Sequence, residues 1–255
     1  MASGDERYGW LFPVAKVVLP PVVRFAWRIH TEGLENLPDD GPAILCPNHT
    51  SVLDSFLLPA ALLPIAGRRR IMFVGKAEYL DSWKTRHVFP ALGMIPIDRA
   101  GGDAAQRALD LAADVLGRGD LFGIYPEGTR SRDGRLYKGH TGPARLALRT
   151  GAPLIPVGIV GSRRIQPPEA KLPKVFEPCA VRVGKPIRPE HYSGHPDDRG
   201  DRLVLRQMID ELMFEIRSLS GQDYVDEYAT RRRDAEVETP VARSSADVLK
   251  GSRVA

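Results

Sequence analysis

Cysteine is nearly missing from this chain: Cys46 and Cys179 are the only two in 255 residues, far apart and without metal-ligand spacing. That excludes a disulfide-stapled or zinc-built scaffold, and the expected state is two buried free thiols in a reducing compartment. Charge of one sign is not in excess either. Lys and Arg total 36 against 32 Asp and Glu, a net charge of +4, too weak and dispersed to argue for nucleic acid. The mild basic balance does suit an anionic small substrate or an anionic membrane surface. Long apolar runs are absent as well. The nearest to one, residues 8–29, is interrupted by Lys16, Arg24, Arg28 and Pro20-Pro21, whereas a spanning helix needs about 20 nearly uncharged residues. Asp5 and Glu6 precede that stretch and no small-residue cleavage site follows it, so it does not read as a signal peptide.

What the stretch does contain is large apolar residues beside basic ones. Splitting at the prolines predicts two helical arms of about ten residues, each roughly 15 Å long and at most half a bilayer core. Trp10, Phe12, Phe25 and Trp27 supply interfacial aromatics, and the three cations reach lipid phosphates by snorkelling. Residues 1–30 are therefore expected to form a monotopic, membrane-associated helix pair; the alternative is an amphipathic helix packed on the domain itself.

Beyond this segment, 43% hydrophobic residues supply a substantial core for one α/β domain. Apolar runs alternate with helical patterns, which predicts a single domain over 31–228 with a mostly parallel central sheet flanked by helices. Candidate strands are 43–46, 70–75, 94–98, 121–125, 154–160 and 180–183. Candidate helices are 51–63, 81–91, 102–118, 141–150 and 197–219. Residues 229–255 turn polar, with Arg231-Arg232-Arg233 and Ser244-Ser245, and read as a disordered tail.

Chemistry concentrates after the first of those strands, in Asn48-His49-Thr50-Ser51-Val52-Leu53-Asp54. Ser51 resembles a helix N-cap and Asp54 sits where a capping-box acid belongs. An offset of five residues turns about 140° on a helix, so His49 and Asp54 meet only if His49 lies in the loop and folds back over the first turn. A carboxylate there would hold one imidazole nitrogen and free the other as a general base. The plainer alternative is a polar loop with an ordinary cap. Three more strand ends carry cations or a glycine turn: Gly75-Lys76, Asp98-Arg99 and the segment from Tyr125 to Ser131 with Glu127, Gly128, Thr129 and Arg130. In a parallel sheet, ligands collect beyond the carboxyl ends of strands. Lys76, Arg99, Arg130 and Lys138 are thus candidates for a phosphate site.

The segments NHTSVLD, GMIPIDR, YPEGTRS and APLIPV occur in that order and resemble the four blocks of the glycerolipid acyltransferases, the lysophosphatidic acid and glycerol-3-phosphate acyltransferase superfamily. The resemblance covers about Thr31 to Pro189. It implies that His49 is the general base and Asp54 its orienting acid. It further implies that Arg99, Glu127, Gly128 and Arg130 bind a phosphate-bearing acceptor, with Thr129 between them and Lys76 similar to the lysine between the first two blocks. The fourth block, from Ala152 to Val157, is associated with the acyl donor. Tyr125 stands where the family commonly has Phe, and Pro96 where a larger residue is usual.

The implied activity is acyl transfer from a thioester, acyl-CoA or acyl carrier protein, to a hydroxyl of lysophosphatidic acid, forming phosphatidic acid with no metal and no further cofactor. Glycerol-3-phosphate, another lysophospholipid or a lipid amine remain open as acceptors. A hydrolase, a CoA-independent transacylase, and a membrane-binding protein that kept the fold remain open as other classes. The partners implied are membrane phospholipids and the acyl donor, with no nucleic acid. The implied location is the cytoplasmic face of the membrane, peripheral or monotopic. Direct transfer is expected, because no serine lies in a Gly-x-Ser-x-Gly elbow. Ser51 as nucleophile is the mechanistic alternative.

Overall fold

The computed structural model describes residues 11–62, 69–76, 93–97, 103–167, 170, 172–192 and 202–229. The expected helix over 81–91, Arg99 and the tail from 230 onward lie outside them.

Seven strands make one sheet in the spatial order β1-β8-β7-β2-β5-β3-β4. They are β1 (His30–Glu32), β2 (Ala43–Pro47), β3 (Ile71–Lys76), β4 (Met94–Ile97), β5 (Leu121–Gly123), β7 (Leu154–Val160) and β8 (Ala180–Val183). A small second sheet pairs β6 (Leu136–Tyr137) with β9 (Tyr224–Val225) in parallel. Five strands, β7, β2, β5, β3 and β4, run the same way. β8 is antiparallel to β7, and β1 is parallel to β8. The segments that enter β1 and β8 therefore meet the segments that leave β2 and β7 at one rim of the sheet.

Strand β2 is buried at every position, which is why its sequence reads as a continuous apolar run and not an alternating one. Ala43 and Leu45 face one core with Ile71, Phe73, Leu121, Ile155 and Val157, closed over by α1 (Leu11–Ala26) and α2 (Asp54–Leu62). Ile44 and Cys46 face the other, closed over by α3 (Ala104–Gly117), α4 (Gly142–Thr150) and α6 (Arg202–Ser220). A short helix α5 (Ser162–Ile165) follows β7. At Gly158 an added Cβ would lie 2.6 Å from the Leu219 carbonyl carbon, so α6 packs onto β7 only because no side chain intervenes. Both cysteines are free and buried.

Among the described residues the expected N-terminal helix pair is replaced by a single helix. Pro20 and Pro21 lie inside one sixteen-residue helix, α1, which continues through them to Ala26. Two prolines forfeit the amide bonds to the carbonyls one turn back and would break an isolated helix. Here tertiary contacts override that preference: Pro20 and Val23 are buried, α1 packs along α2, and the Arg24 guanidinium donates to the Ala61 carbonyl at 3.0 Å. Among the described residues no helix is long and apolar enough to cross a membrane.

Candidate active site

β2 ends at Pro47 and α2 starts at Asp54, and the loop between them sits at the carboxyl edge of the parallel strands. Its entrance is anchored by Asn48. That side chain accepts from the Ile159 N–H at 2.7 Å and donates to the Ile159 carbonyl at 3.0 Å, extending the β2–β7 pairing past the strand end. It also donates to Gln222 Oε1 at 2.7 Å, and Gln222 in turn donates to the Gly134 carbonyl.

From that anchor the chain folds His49 back over the helix start. His49 Nδ1 lies 2.9 Å from Asp54 Oδ2. The same oxygen accepts the Thr50 and Ser51 N–H groups, each at 2.8 Å. The cap and the imidazole partner are thus one atom, and the two sequence readings of Asp54 are one geometry. Asp54 is fully buried, and its other oxygen has no partner among the described residues. The His49 side chain keeps 15% of its surface exposed, with Nε2 turned away from the carboxylate. A buried carboxylate on Nδ1 fixes the tautomer with its lone pair on Nε2 and stabilises the imidazolium that forms when a proton arrives.

Two further groups hold the ring and its backbone. Tyr125 stacks on the imidazole, centroids 3.8 Å apart and planes at 18°. Its hydroxyl is bonded to Ser55 Oγ at 2.8 Å, so the hydroxyl that distinguishes it from phenylalanine locks the stacking ring onto α2. Burial, then the Asp54 charge, pushes the phenol well above its ordinary pKa, keeping it neutral. Glu127 is fully buried and accepts the His49 N–H through Oε1 and the Tyr137 N–H through Oε2, each at 3.0 Å. Burial pushes its carboxyl up to about 7 against the pull of those two N–H groups. The Ser131 N–H closes the circuit by donating to the His49 carbonyl at 2.7 Å.

The remaining sequence candidates separate clearly. Gly128 has φ +69°, a left-handed turn where a Cβ would press on the His140 ring at 3.1 Å, which explains glycine there. Thr129 is half-buried, and Arg130 is exposed without a described acidic partner. Lys76 ends β3 at the same carboxyl edge. Lys138 is already paired: its ammonium bonds Asp226 at 2.8 Å beside Tyr228. Ser51 spends its hydroxyl on the Leu53 N–H and the Gln166 carbonyl and is buried. Burial raises the Cys46 thiol pKa far above ordinary and Cys179 to about 12, so neither provides a thiolate. Among the described residues no cluster of three or more His, Cys, Asp or Glu is placed to hold a metal. Asn48, Ser55 and Gln222 have site roles that sequence reasoning missed. Asn48 stands inside the first motif, but nothing in the sequence marks Gln222.

Known proteins with similar sequences and a similar fold place this chain in a family. The chain belongs to the acyltransferase family, whose model, described as Acyltransferase, matches residues 28–160. It is 30% identical over 142 residues to the chloroplastic 1-acyl-sn-glycerol-3-phosphate acyltransferase LPAT1 of Arabidopsis thaliana, covering 55% of this chain and 38% of that protein. To the human 1-acyl-sn-glycerol-3-phosphate acyltransferase alpha it is 30% identical over 178 residues, covering 67% of this chain and 58% of that one. The chain thus spans less than two thirds of either relative's length. Its fold resembles the crystal structure of the 1-acyl-sn-glycerophosphate (LPA) acyltransferase PlsC from Thermotoga maritima, with TM-score 0.56, 24% identity and 83% of each chain covered.

Proposed function

We propose that this chain transfers a fatty acyl group from a thioester, acyl-CoA or acyl carrier protein, to the free hydroxyl of lysophosphatidic acid, giving phosphatidic acid. The observation that carries this reading is the His49–Asp54 pair, with the aspartate fully buried and the imidazole 15% exposed and held through Nδ1, which leaves Nε2 for the acceptor. His49 Nε2 takes the acceptor hydroxyl proton as the oxygen attacks the acyl carbonyl. The tetrahedral oxyanion collapses, the C–S bond breaks, and the imidazolium returns the proton to the departing thiolate. Asp54 orients and stabilises the ring throughout. Transfer is direct, since Ser51 and Cys46 are both buried and engaged elsewhere.

Arg130 and Arg99 act as the phosphate grips of this reading, with Lys76, Gly128 and Thr129 shaping the site; arginine's planar fork suits a phosphomonoester. Glu127 acts as a positioning residue, since both its oxygens are spent on backbone N–H groups. The phosphate acceptor rests on the activities that the Arabidopsis and human relatives carry in their names. Two buried thiols and a thioester donor suit the cytoplasmic face of the membrane, with α1 as a peripheral attachment.

The test is purified protein with labelled acyl-CoA and a panel of acceptors, products identified. Labelled phosphatidic acid from lysophosphatidic acid is expected, with none from His49→Ala. Arg130→Ala should raise the acceptor KM about 10–100-fold with little change for the donor, and Arg130→Lys should rescue it poorly. Release of free fatty acid alone would make the protein a hydrolase and sink the proposal.

A further inference from the structure

The chain that leaves the last long helix returns to the reaction centre. Gly221 takes φ +71° and its N–H donates to the Arg217 carbonyl at 2.8 Å, a left-handed turn that closes α6 and redirects the backbone. Residues 222–228 then run as a strap along the segment that follows the Tyr125–Ser131 turn. β9 pairs with β6, the Leu136 N–H donates to the Asp223 carbonyl at 2.9 Å, and the Lys138 N–H donates to the Glu227 carbonyl at 3.0 Å. Side chains add to these backbone bonds. Lys138 bonds Asp226, and the Tyr228 ring stacks on His140 with centroids 4.6 Å apart and planes at 14°. His140 in turn donates its N–H to the Pro126 carbonyl at 2.9 Å and lies against Gly128.

At the head of the strap, Gln222 bridges two loops. Its Oε1 accepts from Asn48 Nδ2 and its Nε2 donates to the Gly134 carbonyl, each at 2.7 Å. Each amide fixes the orientation of the next. The Ile159 N–H requires oxygen at Asn48 Oδ1, so Asn48 turns its NH₂ group to Gln222. Gln222 must then present its oxygen there and keeps its own NH₂ for Gly134; a carboxylate or a thioether cannot make both bonds. The bridged loops carry the two halves of the site. Asn48 precedes His49. Gly134 follows the turn that bears Glu127, Gly128 and Arg130, and its N–H is bonded to Ser131 Oγ at 3.1 Å. β2 and β5, which these loops leave, are neighbouring parallel strands. The loops also touch through Ser131 N–H on the His49 carbonyl and His49 N–H on Glu127 Oε1. Glu127 is held in turn by the Tyr137 N–H of β6, the strand that β9 pairs. The strap thus reaches His49 by two routes, through Asn48 and through Glu127.

We propose that Gln222 is a positioning residue which, with the 222–228 strap, fixes the spacing between His49 and the Gly128–Arg130 turn. An acceptor whose phosphate is held on that turn then meets Nε2 with its hydroxyl, instead of water. Such alignment is sensitive: a misplacement of about 1 Å between two reacting groups costs about 10²-fold in rate. Water has no phosphate to be held by and tolerates the same displacement. Gln222 therefore sets the choice between transfer and hydrolysis, whereas Asp54 sets the basicity of His49. This role rests on the lysophosphatidic acid reading above; the bridge itself rests on the geometry.

Full-length wild type is compared with Gln222→Met and Gln222→Ala, and with Ile216→Val, which trims a buried side chain in the core that α6 closes over. Phosphatidic acid and free fatty acid are both counted, from labelled acyl-CoA and a soluble, short-chain lysophosphatidic acid. Each Gln222 variant should transfer about tenfold more slowly with the acceptor KM held within about twofold, while fatty acid release keeps its wild-type rate. The ratio of release to transfer then rises about tenfold. That ratio is independent of how much of the protein is folded, so Ile216→Val should melt lower and leave it unchanged. Hydrogen exchange supplies a readout that needs no substrate. The Thr50, Ser51, Ser131 and Leu136 amides should exchange about tenfold faster in the Gln222 variants, and those of β7 at the wild-type rate. An unchanged ratio overturns the proposal, as does an equal loss of transfer and release. Exchange that quickens across the whole chain also overturns it, since Gln222 would then act only on stability. Loosened loops in a protein that transfers nothing to lysophosphatidic acid would sink the acceptor reading and leave the bridge standing.

Discussion

Asp54 Oδ2 accepts three hydrogen bonds, and Asp54→Asn separates what they do. An asparagine oxygen still accepts the Thr50 and Ser51 N–H groups, so the start of α2 survives. Its amide nitrogen then occupies the position of Oδ1, which has no described partner, at a cost of about 1–3 kcal/mol in stability. The negative charge that stabilises imidazolium is gone, and kcat should fall by about 10³–10⁴. A variant that melts lower yet turns over normally would reduce Asp54 to a cap. Glu127 makes a different prediction, one of pH. Its folded pKa of about 7 lies above the ordinary 4.5. Its contribution to stability is therefore complete below 4.5 and is lost as pH rises through 7, a swing of about 3 kcal/mol. Glu127→Gln has no such titration. Melting curves across that range should show the wild type losing ground to the variant as pH rises, then a constant difference. A constant difference throughout would mean that Glu127 titrates as it does in the unfolded chain. The variant also turns an NH₂ group towards one backbone N–H, so kcat should drop while the acceptor KM holds.

Helix α1 shows where local rules stop being sufficient. Read alone, Pro20-Pro21 is a break; packed on α2, the pair is carried through. Pro21 is exposed and lacks only an N–H for the Val17 carbonyl one turn back. Pro21→Ala restores that donor, worth about 3 kcal/mol in a helix interior, less up to about 1 kcal/mol for the freer unfolded chain. Denaturant titration should show the variant about 2 kcal/mol more stable; a loss would mean that the proline ring itself is a packing element. Elsewhere the sequence was more forthcoming. Strands β2, β4, β7 and β8 and helices α3, α4 and α6 were legible within a few residues, because each buries a run or a stripe that its composition displays. β1, β6 and β9 were not, being three, two and two residues long with no pattern to read. In the site, His49 and Asp54 were legible because they are five residues apart. The clamps were not: Glu127 reaches His49 across 78 residues and Gln222 reaches Asn48 across 174.

Across the whole molecule the sheet sorts chemistry from support. Its parallel strands point their carboxyl ends at the acid–base pair, and its two reversed strands bring the segments that enter them to the same rim. The hydrogen bond between Asn48 and Gln222 carries a further consequence, for the timing of synthesis. The dyad lies in the first quarter of the chain, yet the loop that bears it is held by a residue just past the last long helix. A ribosome that has released the first motif, the Tyr125–Ser131 segment and Ile159 has not yet released Gln222, the last of the groups that hold Asn48. Two of the three bonds on the Asn48 side chain go to Ile159 and only the third waits for Gln222, so the anchor of the His49 loop is completed after the rest of the site has been made.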